Sequence, residues 1–288
     1  MDNLKTILGR ARAEGWSMGH FNASESDQFR AIVEAAKEVG SPAIIGTSEG
    51  EAKHVGRLEA VALREAFRRE FNIPVFLNCD HHKSVAAAKE AIDAGYDSIH
   101  IDLSAEPYEA NVMGTMEVVA YARAKDTLIN VEGELGYLRG ESKIQNEKIK
   151  VSKKDYTDPE QAKDFAAHTG IDRLAIAAGN IHGISLDEPD LDIDRIKAIR
   201  ALVPQNVALV LHAASGIHDN QIRAAIEAGI ANIHINTDIR VAYTEALRNE
   251  LKIDPAETTP YKFDAKAREV LKDLIKQKLR LFGSVNRI

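Results

Sequence analysis

Asn78-Cys79-Asp80-His81-His82 follows an apolar run at 73–77. A β-type run that breaks off into one carboxylate and two imidazoles looks like a strand delivering chemistry at its C-terminal tip. Asp80 and His81 are adjacent, and neighbours on an extended strand point to opposite faces. At the strand end, where the chain turns, both can lean over one pocket. A carboxylate that handles protons beside an imidazole that holds a metal is the chemistry this pair suggests. A polar turn after a buried strand would look the same, so what the other elements bring to this place decides between the two.

Those elements alternate. Short apolar runs lie at 17–21, 43–45, 73–77, 98–102, 128–131, 173–177, 207–211 and 232–235. Helical stretches lie between them. The one at 26–39 carries Phe29, Ile32, Val33 and Ala36 on one stripe. Another at 84–94 is capped by Ser84 and stopped by Gly95, and Asp158-Pro159 opens a third with proline at its first position. The strand-type runs are continuously apolar, as expected of strands buried on both faces. Eight βα units in 288 residues predict an α/β fold, the TIM (β/α)8 barrel. We expect a single domain over 1–288, with a C-terminal helical extension formed by an amphipathic helix at 263–282. An open doubly wound sheet is the alternative, and the lack of a glycine-rich dinucleotide fingerprint after the first strand counts against it.

Composition narrows the function classes. The chain is 44% hydrophobic and 28% charged, an ordinary globular balance. A net charge of −7 without a lysine or arginine block argues against a nucleic-acid partner. The single cysteine, Cys79, rules out an internal disulfide and suits a reducing cytoplasm; it reads as a small core residue rather than a nucleophile. The N-terminal fifteen residues lack the apolar segment of a signal peptide, and no run is long enough to span a membrane.

In a barrel, active sites sit where strands end. The successive tips offer Ser48; Asp80, His81 and His82; Asp102; Glu132 and Glu134; His182; and His212. Three histidines and several carboxylates converging on one mouth make a divalent-metal constellation, with zinc the metal that best suits the donors. Gly183, Ala213-Ala214-Ser215-Gly216 and Asn236-Thr237 could present backbone N–H groups and hydroxyls to an anion, at the place where barrels often bind phosphate. Each of these segments taken singly is also an ordinary tight turn. Metal and phosphate at one mouth point to a phosphorylated sugar with a carbonyl for the metal to polarise.

With these residues in order, the chain resembles the class II, metal-dependent fructose-bisphosphate and tagatose-bisphosphate aldolases nearly end to end. The resemblance is carried by Gly19-His20-Phe21-Asn22, Asp80-His81, Ile101-Asp102-Leu103-Ser104, Val131-Glu132-Gly133-Glu134-Leu135-Gly136 and Tyr156-Thr157-Asp158-Pro159. It continues through Gly179-Asn180-Ile181-His182-Gly183, Leu209-Val210-Leu211-His212, Ser215-Gly216, Asn236-Thr237-Asp238 and Phe282-Gly283-Ser284. It implies reversible cleavage of a ketose 1,6-bisphosphate to dihydroxyacetone phosphate and glyceraldehyde 3-phosphate. His81, His182 and His212 would hold zinc, and Asp102 and Glu134 would be carboxylates the metal can visit. The resemblance leaves open a monovalent cation in addition. Asp80 would be the acid/base on the hydroxyl next to the breaking bond. Asn22, Ser48, Gly183, Ala213, Ala214, Ser215, His234, Ile235, Asn236 and Thr237 would contact the substrate. The polar segment at 136–155 would be a mobile lid carrying the base for the carbon-bound proton. A homodimer or homotetramer is implied too, with the C-terminal helix a candidate interface.

Four positions depart from the family pattern. Ala213 and Ala214 stand where two glycines usually follow the third metal histidine, and added methyls crowd a backbone that must approach a phosphate. His234 replaces the usual Asn and Asn232 the usual Lys. The lid's usual Glu falls at Ser142, which leaves Glu141, one residue earlier, as the catalytic candidate. No Lys follows His182-Gly183 within Ile184-Ser185-Leu186. The alternatives to a bisphosphate aldolase are therefore an aldolase for another phosphorylated ketose and a non-catalytic zinc-containing relative that binds a sugar phosphate.

Overall fold

The computed structural model describes residues 2–185 and 190–288. Its strands are β1 (Met18–Asn22), β2 (Ala43–Ser48), β3 (Val75–His82), β4 (Ser98–Ile101), β5 (Asn130–Leu135), β6 (Gly140–Ile144), β7 (Arg173–Ile176), β8 (His182–Ile184), β9 (Ala208–Leu211) and β10 (Ile230–Ile235). Eight of them form a closed parallel barrel in the order β1-β2-β3-β4-β5-β7-β9-β10, with β10 paired back onto β1. That closure decides for the TIM barrel over the open sheet. The remaining two, β6 and β8, form a separate parallel pair above the mouth.

Local signals account for most helices. α2 (Ser26–Val39) buries Phe29, Ile32, Val33 and Ala36; Glu25 caps its start, and Gly40, at φ 66, ends it. α5 (Val85–Ala94) is capped by Ser84 and ended by Gly95. α7 (Pro159–Thr169) has the Asp158 cap and proline start that its sequence announces. One helix after β2, α3 (Glu49–Val55), lies where the sequence reads as a loop; a capping box between Ser48 and Glu51 starts it.

The helices lie on the outside of the barrel over one continuous apolar layer, and a second, smaller cluster closes its floor. There α1 (Leu4–Glu14) presses Leu4, Ile7, Leu8 and Ala11 against Trp16, Met18, Phe76 and Ala231. With the N-terminal end of the strands plugged, the C-terminal end is the accessible mouth. The last helix, α11 (Pro260–Leu281), buries Ala267, Leu271, Ile275 and Leu279 against its own chain, chiefly α2 and α10 (Thr237–Ile253). Its apolar stripe is thus used within the chain, and only its polar face is left for a partner. Among the described residues no helix is long and apolar enough to cross a membrane.

The barrel interior is polar at its centre. Arg173, fully buried at the start of β7, donates to Asn130 Oδ1 (2.8 Å), Asn232 Oδ1 (2.6 Å), Asn78 Oδ1 (3.0 Å) and Ser98 Oγ, and pairs with the equally buried Glu132 at 2.9 Å. A buried guanidinium is tolerable only when so completely partnered. This layer supports the side chains of the mouth from below.

Candidate active site

β3 extends beyond its apolar run to His82. Its pairing with β4 shifts register between Cys79 and His82, and His81 adopts a left-handed φ of 47°. Strict alternation would send Asp80 and His81 to opposite faces. The bulge and the positive φ turn His81 inward, so both side chains share the mouth. A left-handed imidazole residue costs backbone energy, a strain characteristic of functional positions.

His81 Nδ1 donates to Asp102 Oδ2 at 2.9 Å, and Asp102 Oδ1 is held by the Ser104 hydroxyl at 2.6 Å. His212 Nε2 donates to Glu132 Oε1 at 2.6 Å. With the outer nitrogens donating to these carboxylates, the two inner ones, His81 Nε2 and His212 Nδ1, lie 3.0 Å apart, within hydrogen-bond distance of each other, so that a bound metal ion would displace the proton they share. Such an arrangement calls for a cation between or beside them, and the donor set fits a divalent metal. The His182 ring lies 5.0 Å from that of His81. Burial, then the charges of His81 and His212, lower its pKa to about 3, so it is a neutral donor. Its nitrogens do not join the groups of ligand atoms lying within 4.8 Å of one another. His81 also forms such a group with Asp102 and Glu134, on the other side of its ring. His100 accepts from the His81 backbone N–H at 3.1 Å and turns Nε2 to Glu134 Oε2 at 3.2 Å.

Asp80 is almost fully buried. Its Oδ2 accepts from Asn22 Nδ2 at 2.9 Å, and its Oδ1 has no hydrogen-bond partner. Burial works to raise its pKa, but the charge of the neighbouring His81 leads the effects that outweigh it and hold the carboxyl well below the usual range. His234 stacks on His20 at 3.5 Å between ring centres. Arg173 and the Met18 carbonyl fix the amide of Asn232, so Asn232 Oδ1 accepts from His234 Nε2 at 3.1 Å. His234 Nδ1 is therefore a bare acceptor, 3.5 Å from Asp80 Oδ1. Burial, then His20 and His212, keep this ring neutral.

The mouth is a cavity of about 780 Å³ whose walls include Ser48, Asp80, His81, Asp102, Glu134 and His182. A deeper recess adjoins it, with Gly183, Ala213, Ser215, Asn236 and Thr237 along one side. α10 begins there at Thr237; the Asn236 side chain does not cap it, and of its first N–H groups that of Asp238 donates to Ser215 Oγ at 3.1 Å. Above lies the β6–β8 pair, tied down by Gln145 to the Glu141 and His182 carbonyls and by Arg240 to the Ser142 carbonyl. A Cβ at Gly183 would collide with the carbonyls of Glu141 and Lys143, so only glycine lets the two strands meet.

Comparison with known proteins decides what this geometry belongs to. Residues 2–287 match the family described as fructose-bisphosphate aldolase class-II. The chain belongs to that family. It is an aldolase, a carbon–carbon lyase. A fructose-bisphosphate aldolase of Thermus caldophilus is 38% identical, the alignment covering 98% of this chain and 97% of that protein. One from Staphylococcus aureus is 36% identical, over 99% and 98%. Among solved structures, the YdjI aldolase from Escherichia coli K12 superposes with a TM-score of 0.84 at 30% identity, covering 98% of this chain and 97% of that one.

The aldolase brings together at one mouth most of the residues singled out from its sequence. Asp80, His81, His212, Asp102 and Glu134 form one connected cluster, with His182 at its edge. Asn22, Ser48, Gly183, Ala213, Ser215, His234, Asn236 and Thr237 line the mouth or its recess. Ala214 and Ile235, expected to contact substrate, line neither the mouth nor the recess: their side chains are buried in the apolar core. Glu141 borders the mouth as well, but its side chain is 75% exposed and paired with Lys143 at 2.7 Å. Leu186 falls outside the described residues. Four further residues enter the site: His20, Glu51, Arg173 and Arg240. For Arg173 the signal was a charge at the head of an apolar run; for Glu51 it was the Ser48-x-x-Glu51 spacing of a capping box. His100 is a fifth, inside the cluster.

Proposed function

We propose that this aldolase reversibly cleaves a ketose 1,6-bisphosphate, fructose or tagatose, to dihydroxyacetone phosphate and glyceraldehyde 3-phosphate, and that its metal is zinc. The observation that carries the reading is the pair of inward ring nitrogens, His81 Nε2 and His212 Nδ1, 3.0 Å apart beside the unpartnered Oδ1 of Asp80. His81, His212 and His182 would hold the ion, with Asp102 and Glu134 as carboxylates within its reach; an imidazole-rich set suits zinc. When bound, a divalent ion polarises the ketone and offsets the charge that develops on its oxygen as the bond breaks.

The protein's own groups do the rest. The Asn22 bond to Oδ2 leaves Asp80 Oδ1 to take the proton of the hydroxyl next to the breaking bond and to return it in condensation. A substrate hydroxyl donating its one proton to Asp80 Oδ1 would satisfy an acceptor that has no partner in the protein. Gly183, the turn from Ala213 to Ser215, and Asn236 with the first N–H groups of α10 receive the phosphate. Glu141 would reach the carbon-bound proton only after the lid shifts and its Lys143 pairing opens. Asp80 argues against a non-catalytic sugar-phosphate binder, which needs no proton-transfer group. We further propose one domain over 1–288, a homodimer or homotetramer, and a cytoplasmic location in which the buried Cys79 stays reduced.

A cleavage assay on purified protein with fructose 1,6-bisphosphate and tagatose 1,6-bisphosphate, coupled to dihydroxyacetone phosphate detection, tests this. Cleavage that EDTA abolishes and zinc restores is expected for at least one. No cleavage of either by protein carrying stoichiometric zinc would overturn the reading and favour another phosphorylated ketose.

A further inference from the structure

Glu51 is the third residue of α3 and closes its capping box: its Oε2 accepts from Ser48 N at 2.7 Å, while Ser48 Oγ accepts from Glu51 N at 3.4 Å. Capping alone would account for an acid at this position. The same oxygen does a second thing. It accepts from Asn22 Nδ2 at 2.8 Å, reaching from the β2–α3 junction to the tip of β1. That nitrogen also donates to Asp80 Oδ2 at 2.9 Å. A carboxamide NH2 has two hydrogens, so both are committed, one to each carboxylate. Since both partners are acceptors, the orientation of the Asn22 amide follows from them. Asn22 is 3% exposed and Asp80 4%, so water has little access to the bond between them.

The three side chains stand on three adjoining strand ends. β1 pairs with β2 through Asn22 and Gly46, and β2 with β3 through Ser48 and Asp80. An amide held by one carboxylate can turn about its Cβ–Cγ bond. Held by two, it is fixed in plane and aims one N–H at Asp80 Oδ2. Oδ1 then faces the cavity. Bringing a second carboxylate to this nitrogen has a cost: burial raises the pKa of Glu51, and the charge of Asp80 adds to that.

We propose that Glu51 is a positioning residue of the cleavage step, acting on Asp80 through the side-chain amide of Asn22; this rests on the aldolase reading above. A misplacement of about 1 Å in a reacting group costs on the order of a hundredfold in rate. Loosening one of the two bonds that hold the amide should therefore lower kcat by roughly tenfold, with KM and zinc content little changed. Glu51→Gln keeps a carbonyl oxygen able to accept from both Asn22 and Ser48 and should retain most of the rate.

The test is a double-mutant cycle on the zinc-loaded, full-length protein. It compares wild type, Glu51→Ala, Glu51→Gln, Asp80→Asn and the Glu51→Ala/Asp80→Asn double variant in bisphosphate cleavage. The expected result is a kcat defect in Glu51→Ala, near recovery in Glu51→Gln, and a double variant no slower than Asp80→Asn alone. If Glu51→Ala slows Asp80→Asn by the same factor as it slows wild type, Glu51 serves only its helix cap; if Gln is as poor as Ala, an acceptor for the Asn22 amide is not what position 51 supplies; either result overturns the proposal. Should Glu51→Ala not fold, Glu51→Met, of similar volume and without an acceptor, takes its place in the cycle. A wild type that cleaves nothing overturns the aldolase reading and this role with it. An active wild type with an unimpaired Glu51→Ala overturns the role alone.

Discussion

Replacing Glu132 by leucine should damage this protein in two separable ways. Glu132 is fully buried and stands between Arg173, at 2.9 Å, and His212 Nε2, at 2.6 Å. Burial works to raise its pKa, but Arg173 first, and then the neighbouring histidines, hold it well below the usual range, so its charge is present at neutral pH. Its loss leaves Arg173 with neutral partners only, Asn130, Asn232, Asn78 and Ser98. Breaking one side of a buried pair costs about 3–5 kcal/mol. At about 2–4 °C per kcal/mol for a chain in this size range, Tm should fall by on the order of 10 °C. The melt is run in EDTA, because bound metal would add its own stabilisation. Glu132→Leu/Arg173→Met removes the stranded buried charge and should recover part of the loss, the rest remaining because Asn130, Asn232, Asn78 and Ser98 lose their donor. The second effect is on the metal. Without an acceptor at Nε2, the His212 ring loses the partner that holds Nδ1 inward, and zinc affinity should weaken by about 10–100-fold. The double variant does not repair this, so stability and affinity come apart. A Tm drop under about 2 °C in Glu132→Leu, or no gain from adding Arg173→Met, would refute the charge-pair account of this core.

Further outcomes follow from the same geometry. His81→Ala and His212→Ala should each remove bound zinc and cleavage together, while His182→Ala, at the edge of the cluster, should cost less affinity; zinc content equal to wild type in any one, by metal analysis, would remove that residue from the ligand set. Ala213 has a φ of 57°, so Ala213→Gly should relieve roughly 1–2 kcal/mol of left-handed strain against about 0.4–1 kcal/mol of added chain entropy. Its Tm should not fall and its KM should drop; a clear loss of stability would contradict the backbone conformation. Burial lowers the pKa of His81, but Asp80 and Asp102 outweigh it and raise it above the ordinary 6.5. A proton on His81 competes with metal below that raised value, so zinc affinity should weaken by about tenfold per pH unit on acidification, beginning above the ordinary histidine range. Affinity constant from pH 8 to 5 would exclude His81 as a ligand.

The sequence by itself determined the barrel. Buried parallel strands must be continuously apolar, and helices that cover them need one apolar stripe and local caps. Both signals are short-range, as in Phe29, Ile32, Val33 and Ala36 on α2 or the Asp158-Pro159 start of α7. It also determined the chemistry-bearing tips, because in a barrel every strand end opens on one mouth. Tertiary structure decided how those tips relate. Nothing local tells that His81 turns inward on a left-handed φ, or that Asp102 and Glu132 set which nitrogens of His81 and His212 face inward. The roles of Arg173, His20 and Glu51 are equally invisible along the chain. Their partners are 29 to 95 residues away, and a buried charge or a bare ring nitrogen acquires meaning only from the group that faces it. Glu141 shows the same limit from the other side: spacing nominates it for the lid, and a neighbouring lysine and open solvent hold it where it now lies.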